Sequence, residues 1–90
     1  MVHLREGNLD RASLDFLKLE LKTAVTLLQL AATEEGLGDR NGAQKAQELA
    51  QEAYANFNRF WPAVEQRVTA EERNEIKKLQ QAVVELMPHI

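Results

Sequence analysis

Apolar residues in the first third of the chain recur at steps of three and four. They are Leu14, Leu17, Leu21, Ala24, Leu28 and Ala31. Because an α-helix has about 3.6 residues per turn, this spacing places them on one helix face, the first stripe. Asn8 or Asp10 offers a cap oxygen before the stripe, while Gly36 can adopt the left-handed conformation after it and Leu37 can fold back on the helix. The pattern predicts a first helix over about residues 9–35.

A second helix is predicted after Gly38. Asn41 followed by Gln44 is a variant of the capping box, the paired side-chain and backbone hydrogen bonds that begin many helices. The apolar positions that follow are Ala43, Ala46, Ala50, Ala53, Phe57, Phe60 and Val64. This stripe passes Pro62, which removes one backbone hydrogen bond from a helix. The helix must then either kink near Asn58 or break and restart at Pro62. We predict a helix over about 42–66 that is kinked at Pro62.

A third helix follows a capping box of the form Thr-x-x-Glu, from Thr69 to Glu72. Its apolar positions are Ile76, Leu79, Val83 and Leu86, and Pro88 prevents much continuation. The helix is predicted over about 70–87. Because both connections are short, neighbouring helices are expected to run antiparallel. The predicted fold is all-α, an antiparallel up-down-up three-helix bundle forming a single domain over residues 1–90.

Composition narrows the classes of protein and partner. The chain is 44% hydrophobic and 28% charged, the balance of an ordinary globular protein, and 90 residues suffice for one core. Its net charge of -3 disfavours nucleic acid, and no apolar run is long enough to span a membrane. There is no cysteine, which fits a reducing compartment. We expect a cytoplasmic protein with neither nucleic acid nor membrane as its partner.

The predicted first helix carries more apolar surface than one neighbour can bury. A second stripe is formed by Phe16, Leu19, Thr23, Leu27 and Leu30, and Glu20 lies between the two stripes. Helix three could cover this stripe, helped by Val2, Leu4 and Leu9. Alternatively, a second copy of the chain could cover it in a two-fold dimer. A third possibility is that a helix of another partner binds there. Glu20 is expected to pair with an arginine of another helix or protomer.

The sequence offers few groups for catalysis or metal binding. His3 and His89 are the two histidines, and in an up-down-up bundle they lie near opposite ends. Without cysteine, the usual metal-ligand and nucleophile sets are incomplete. We therefore expect no catalytic residue, metal or cofactor. The predicted function is that of a non-enzymatic interaction module, homodimeric through Phe16, Leu19, Glu20, Thr23, Leu27 and Leu30.

An alternative function comes from the aromatic end of helix two. Small residues lie near the predicted hairpin turn and large ones far from it, so the first two helices should diverge toward the aromatic end. A small apolar ligand could then bind among Leu17, Tyr54, Phe57, Phe60 and Trp61. The same aromatic residues are also typical of an ordinary core.

Overall fold

The computed structural model describes the backbone of residues 2–87 and the side chains of residues 11–87. It contains three helices, α1 (Val2–Gly36), α2 (Arg40–Glu65) and α3 (Ala70–Leu86), and no strand occurs within the described residues. Helix α1 packs against both α2 and α3. The predicted all-α three-helix bundle is confirmed.

Helix α1 begins earlier than predicted, at Val2 instead of residue 9. Asn8 and Asp10, expected to cap the helix, lie inside it. Each costs a helix interior less than about 1 kcal/mol relative to alanine, so either residue can be accommodated without starting a new helix. With 35 residues, α1 is about 52 Å long and accounts for most of the 54 Å long axis of the molecule.

The α1–α2 turn is a Schellman motif, in which two backbone hydrogen bonds close the end of a helix. The Asp39 N–H donates to the Glu34 carbonyl at 2.8 Å, and the Gly38 N–H donates to the Glu35 carbonyl at 3.0 Å. Gly38 has a φ of 86°, which an L side chain rarely adopts. The glycine therefore lets the chain reverse within a few residues, which sets α2 antiparallel to α1.

Two details of the predicted turn are wrong. Gly36 is still helical, and the left-handed residue is Gly38. Leu37 does not fold back on α1, since its side chain is 81% exposed. In a Schellman motif the residue that contacts the helix is the one after the left-handed glycine, and here that residue is Asp39. An acidic residue at that position provides no apolar contact for the last turn.

Helix α2 is capped by Asp39, not by the predicted Asn41. The Asp39 carboxylate accepts a hydrogen bond from the Gly42 N–H at 3.0 Å, and the helix begins at Arg40. Asp39 therefore closes α1 with its backbone N–H and caps α2 with its side chain. This double role explains why the two long helices are joined so tightly.

Pro62 does not break α2. The helix continues through it to Glu65, and the buried residues Phe57 and Val64 lie on either side of it on the same face. The hydrogen bond that proline removes would have reached the carbonyl of Asn58, an exposed residue that water can reach. The helix therefore tolerates the proline, while the predicted kink stays a prediction.

The start of α3 is confirmed. The Glu72 N–H donates to the Thr69 hydroxyl at 3.1 Å, and the Thr69 N–H donates to the Glu72 carboxylate at 2.8 Å. These are the reciprocal bonds of a capping box. The Arg73 guanidinium also donates to the Glu65 carbonyl at 3.1 Å, which ties the first turn of α3 to the end of α2.

The core consists of the predicted stripes except at Phe60, at Leu79, which is half-buried, and at Leu86, the last residue of α3, which is 41% exposed. Its fully or almost fully buried residues are Leu14, Leu17, Leu21, Ala24, Leu28, Ala31, Ala43, Ala46, Ala50, Ala53, Phe57, Val64, Ile76 and Val83. Phe60 was predicted to be buried with them, yet its side chain is 48% exposed. Phe60 lies at the edge of the α2 stripe, and its ring contacts the Phe16 ring at the margin of the helix interface.

Candidate interaction surface

The hairpin of α1 and α2 has two flanks, and α3 covers only one of them. On this covered flank, the Lys18 ammonium lies 2.8 Å from the Glu75 carboxylate of α3. The Gln80 amide of α3 also donates to the Tyr54 hydroxyl of α2 at 3.2 Å. Trp61 is half-buried there and packs against the core. Helix α3 thus contacts both long helices from the same side.

The opposite flank is joined by contacts between α1 and α2. The rings of Phe16 and Phe60 meet edge to face, with centroids 6.2 Å apart. The Glu20 carboxylate accepts a hydrogen bond from the Asn56 amide at 3.3 Å. Glu20 lies four residues after Phe16 along α1, and Asn56 lies four residues before Phe60 along α2. These two contacts fix an antiparallel register for this flank.

The apolar side chains of this second flank define what we call the open face. The fixed register places Leu27 of α1 opposite Leu49 of α2, seven residues beyond the Glu20 contact. The open face comprises Phe16, Leu19, Glu20, Thr23, Leu27 and Leu30 of α1 with Leu49, Asn56 and Phe60 of α2. Its most exposed apolar side chain is that of Leu19, at 60%, and the Phe16, Leu30, Leu49 and Phe60 side chains are all more than 40% exposed.

All six interface residues predicted from the sequence lie on the open face, with different exposures. Phe16, Leu19, Thr23 and Leu30 are exposed, whereas Glu20 and Leu27 are half-buried and Leu27 packs against the core. The alternative in which helix three buries this stripe is wrong, because α3 packs on the other flank. The side chains of Val2, Leu4 and Leu9, proposed to help cover it, lie outside the described residues.

Helix α3 instead packs beside Lys18, on the side of α1 away from the second stripe. Lys18 is mostly shielded there, with 24% of its side chain exposed. A lysine can cover apolar surface with its methylene groups while its ammonium group binds a carboxylate at the edge. The hydrogen bond from Lys18 lowers the pKa of Glu75 below 4.5, and the same bond raises the pKa of Lys18 above 10.5.

Glu20 has a neutral partner, where an arginine was expected. Its carboxylate accepts the hydrogen bond from the Asn56 amide, and the residue is half-buried between the two helices. An amide donor keeps the carboxylate hydrogen-bonded without neutralising its charge, so the group still needs access to water. The Glu20–Asn56 pair therefore forms a polar site within a mostly apolar flank.

The aromatic residues of the predicted ligand pocket are divided between the two flanks. Phe57 is fully buried and stacks on Tyr54 and Trp61, with centroid distances of 6.1 and 5.6 Å, and Tyr54 lies on the covered flank. Phe60 lies on the open face and Leu17 is buried beside it. The five residues do not line one common pocket.

A different groove lies at the Phe16 end of the open face. It has a volume of about 490 Å³ and is lined by Ala12, Ser13, Phe16, Leu17, Phe60, Ala63, Val64 and Arg67. Leu17 forms its floor, since the side chain is fully buried. Apart from Ser13 and Arg67, the lining residues are apolar or small. The groove is therefore continuous with the open face and shares its two aromatic rings.

Sequence reasoning missed the contribution of α2 to this surface. It assigned α2 a single apolar face, although Leu49, Asn56, Phe60 and Ala63 recur at steps of seven, four and three. That spacing places them along one flank of the helix, beside the buried stripe. The signal was present, but one polar member and one alanine made it weak.

The described residues provide neither a metal site nor a membrane span. Nowhere between residues 11 and 87 do three or more His, Cys, Asp or Glu side chains converge as metal ligands would. Within the described part of the chain, no helix combines the length and the apolar character needed to cross a bilayer. His3 and His89 lie outside the described side chains.

No protein-family model, curated protein or solved structure matches the chain.

Proposed function

We propose that this protein is a non-enzymatic interaction module that forms a homodimer through the open face. The observation that supports this proposal is the position of its exposed apolar side chains. Phe16, Leu19, Leu30, Leu49 and Phe60 all lie on the flank that α3 leaves uncovered. Contiguous apolar surface of this kind is typical of a binding site for another protein, because exposing it to water is unfavourable.

The total surface area favours a partner of substantial size. The chain exposes 6760 Å², whereas a compact monomer of its mass exposes about 5,300 Å². Part of the difference reflects an elongated shape, since the radius of gyration is 15.3 Å against about 12 Å for a compact chain of this length. Pairing along the long open face would bury part of this excess and make the assembly more compact.

The charges that border the open face favour a second copy over a strongly charged partner. Along one border, α2 carries Lys45, Glu52 and Arg59 at steps of seven, and along the other border α1 carries Asp15 and Lys22. Each border thus contains both signs of charge. A face between mixed borders has no net charge that would repel its own copy, and two-fold dimers are the commonest soluble oligomers.

The test is the solution mass measured by light scattering. The wild-type chain is expected to have about twice its 10.2 kDa mass. Leu19→Glu and Leu30→Glu should each convert it to a monomer, because a carboxylate would then be buried in the apolar interface. Leu37→Glu and Val84→Glu are matched controls, since these side chains are also exposed but lie in the turn and on α3.

The controls should remain dimeric, and circular dichroism should show that all four variants keep their helix content. A wild-type chain that stays monomeric at high concentration contradicts the proposal. Loss of the dimer in the controls as well as in the open-face variants would show that association does not depend on this surface. A stable complex with a different helical protein, in place of the homodimer, would assign the face to another partner.

A second candidate function, binding of a small apolar ligand, is favoured by the groove of about 490 Å³. This volume lies in the usual range for ligand sites. Because the groove shares Phe16 and Phe60 with the open face, a ligand and a second copy would compete for it. Ligand binding predicts a monomer that is stabilised against heat by a medium-chain fatty acid, and an Ala63→Trp variant that loses this stabilisation because its ring fills the groove.

The proposal includes a cytoplasmic location and assigns no metal, cofactor, nucleic acid or membrane. The absence of cysteine and the net charge of -3 support this choice. In this proposal, the protein acts by forming a homodimer, which leaves the surfaces outside the open face of both copies available to other molecules.

A further inference from the structure

The α1 part of the open face is symmetric in its spacing about Thr23. Leu19 and Leu27 lie four residues on either side of it, and Phe16 and Leu30 lie seven residues on either side. Steps of four and seven return to the same helix face. The spacing of large side chains along α1 is therefore the same in both directions, with a short side chain at the centre.

We propose that the second copy binds antiparallel, with a two-fold axis passing beside Thr23. This inference rests on the proposed homodimer and specifies its geometry. A two-fold axis at this position brings Phe16 of one copy near Leu30 of the other, and Leu19 of one near Leu27 of the other. The same residue from both copies meets only at the axis, where the exposed Thr23 is short enough to let two helices approach closely.

The difference in shape between the two ends of the open face favours this orientation. The Phe16 end contains the groove of about 490 Å³, whereas exposed leucines, Leu30 and Leu49, mark the other end. An antiparallel copy places leucine side chains over each groove. A parallel copy would place one groove over the other and leave both unfilled, which sacrifices dispersion contacts.

Single cysteines provide a direct test, because the natural chain has none. A disulfide requires the two Cα atoms to approach within about 7 Å. In the antiparallel dimer this condition holds for Thr23 and its own copy. Leu30 lies seven residues from Thr23. The two copies of Leu30 would lie on opposite sides of the two-fold axis and would be about 21 Å apart along the helix direction. A parallel dimer would bring the two copies of each residue together instead.

Under mild oxidation, most molecules of the Thr23→Cys variant are therefore expected to form a covalent dimer. Leu30→Cys alone should cross-link at least tenfold less, no faster than the control Leu37→Cys, which reports random collisions. An equimolar mixture of Leu30→Cys and Phe16→Cys should recover cross-linking, because these two positions face each other across the axis. All products are read on a non-reducing gel.

The mass of each variant before oxidation separates the two proposals. If the variants are dimers by light scattering but Leu30→Cys cross-links as fast as Thr23→Cys, the copies are parallel and this inference is overturned while the homodimer stands. If they are dimers and Thr23→Cys does not cross-link, the axis lies elsewhere and the inference is again overturned. If the wild-type chain and Thr23→Cys are both monomers, the proposed homodimer itself is wrong.

Discussion

The two flanks of the α1–α2 hairpin border the same buried stripes but have opposite character. The flank that α3 covers contains Lys18 and the Tyr54 hydroxyl, both bonded to α3, whereas the uncovered flank exposes Phe16, Leu30 and Phe60. Helix α3 thus packs on a flank where polar groups of both long helices bond to it. The comparison teaches that an apolar flank of a hairpin is not necessarily covered by its own chain.

The reason lies in what each flank offers to α3. On the covered flank, the stacked rings of Tyr54, Phe57 and Trp61 border the surface on which Ile76 and Val83 become fully buried. The short connection between α2 and α3 is held by the Thr69 capping box, which leaves little freedom for α3 to cross to the other side. The open face consequently remains available for a partner.

The largest difference in stability is expected between two phenylalanines of α2, one in the core and one on the open face. Phe57→Ala should lower the free energy of unfolding by about 3–5 kcal/mol, because it removes a fully buried ring. Phe60→Ala should cost about 1 kcal/mol or less in the monomeric Leu19→Glu background, since the Phe60 ring is half-exposed. Urea denaturation measures both. Equal losses would mean that the open face is packed as tightly as the core.

The next test concerns the turn that sets the two flanks. Gly38→Ala should destabilise the protein by about 1–2 kcal/mol, because alanine is strained at a φ of 86°. Gly36→Ala should instead stabilise it by about 0.5–1 kcal/mol, since Gly36 is helical and has open space around it. Thermal unfolding of both variants gives the comparison. A stabilised Gly38→Ala protein would refute the assignment of the left-handed residue.

A smaller effect is expected from the hydrogen bonds that border each flank. Tyr54→Phe should cost about 1 kcal/mol, because the Gln80 amide loses its partner at a half-buried position. Asn56→Ala should stay within about 0.5 kcal/mol in a monomeric background, since water can reach Glu20 on the uncovered flank. Chemical denaturation measures the loss of unfolding free energy for both variants. A larger loss for Asn56→Ala than for Tyr54→Phe would show that the open face is less hydrated than the covered flank.

The smallest effect is the pH dependence of the Lys18–Glu75 ion pair on the covered flank. Because the pKa of Glu75 is lowered from 4.5, its contribution to stability is present above that pH and is lost as the pH falls through the folded-state value. The pKa of Lys18 is raised from 10.5, so its contribution is present below that pH and is lost at higher pH. Glu75→Gln should slightly lower the unfolding temperature between these limits.

The difference between wild type and Glu75→Gln should disappear in acid and shrink in high salt, because exposed ion pairs are screened. A matched control is Glu52→Gln, an exposed acidic residue in the middle of α2, away from the helix ends and their dipole charges. Its midpoint should not show the same acid-dependent convergence. If the Glu75 variant kept its deficit at pH 2, the ion pair would not be the cause.

Most of the buried core was predictable because helical periodicity acts on each helix separately. All six residues of the first α1 stripe are buried, and the capping box at Thr69 marks the start of α3. The errors concern residues at edges and ends. Phe60 is at the edge of its stripe. The turn contains two glycines and several possible cap residues within a few positions, and the observed hydrogen bonds identify Gly38 as the left-handed residue and Asp39 as the cap.

The sequence by itself determined that there are three helices, which side of each is apolar, and that α1 has a second apolar stripe. Which flank α3 would cover was decided only by the tertiary structure. Periodicity assigns a residue to a face of its own helix, but the neighbour of that face depends on the packing of all three helices and on the reach of the last connection. For this reason Phe16, Leu19 and Leu30 could be recognised as spare apolar surface, while their exposure became evident only in the folded chain.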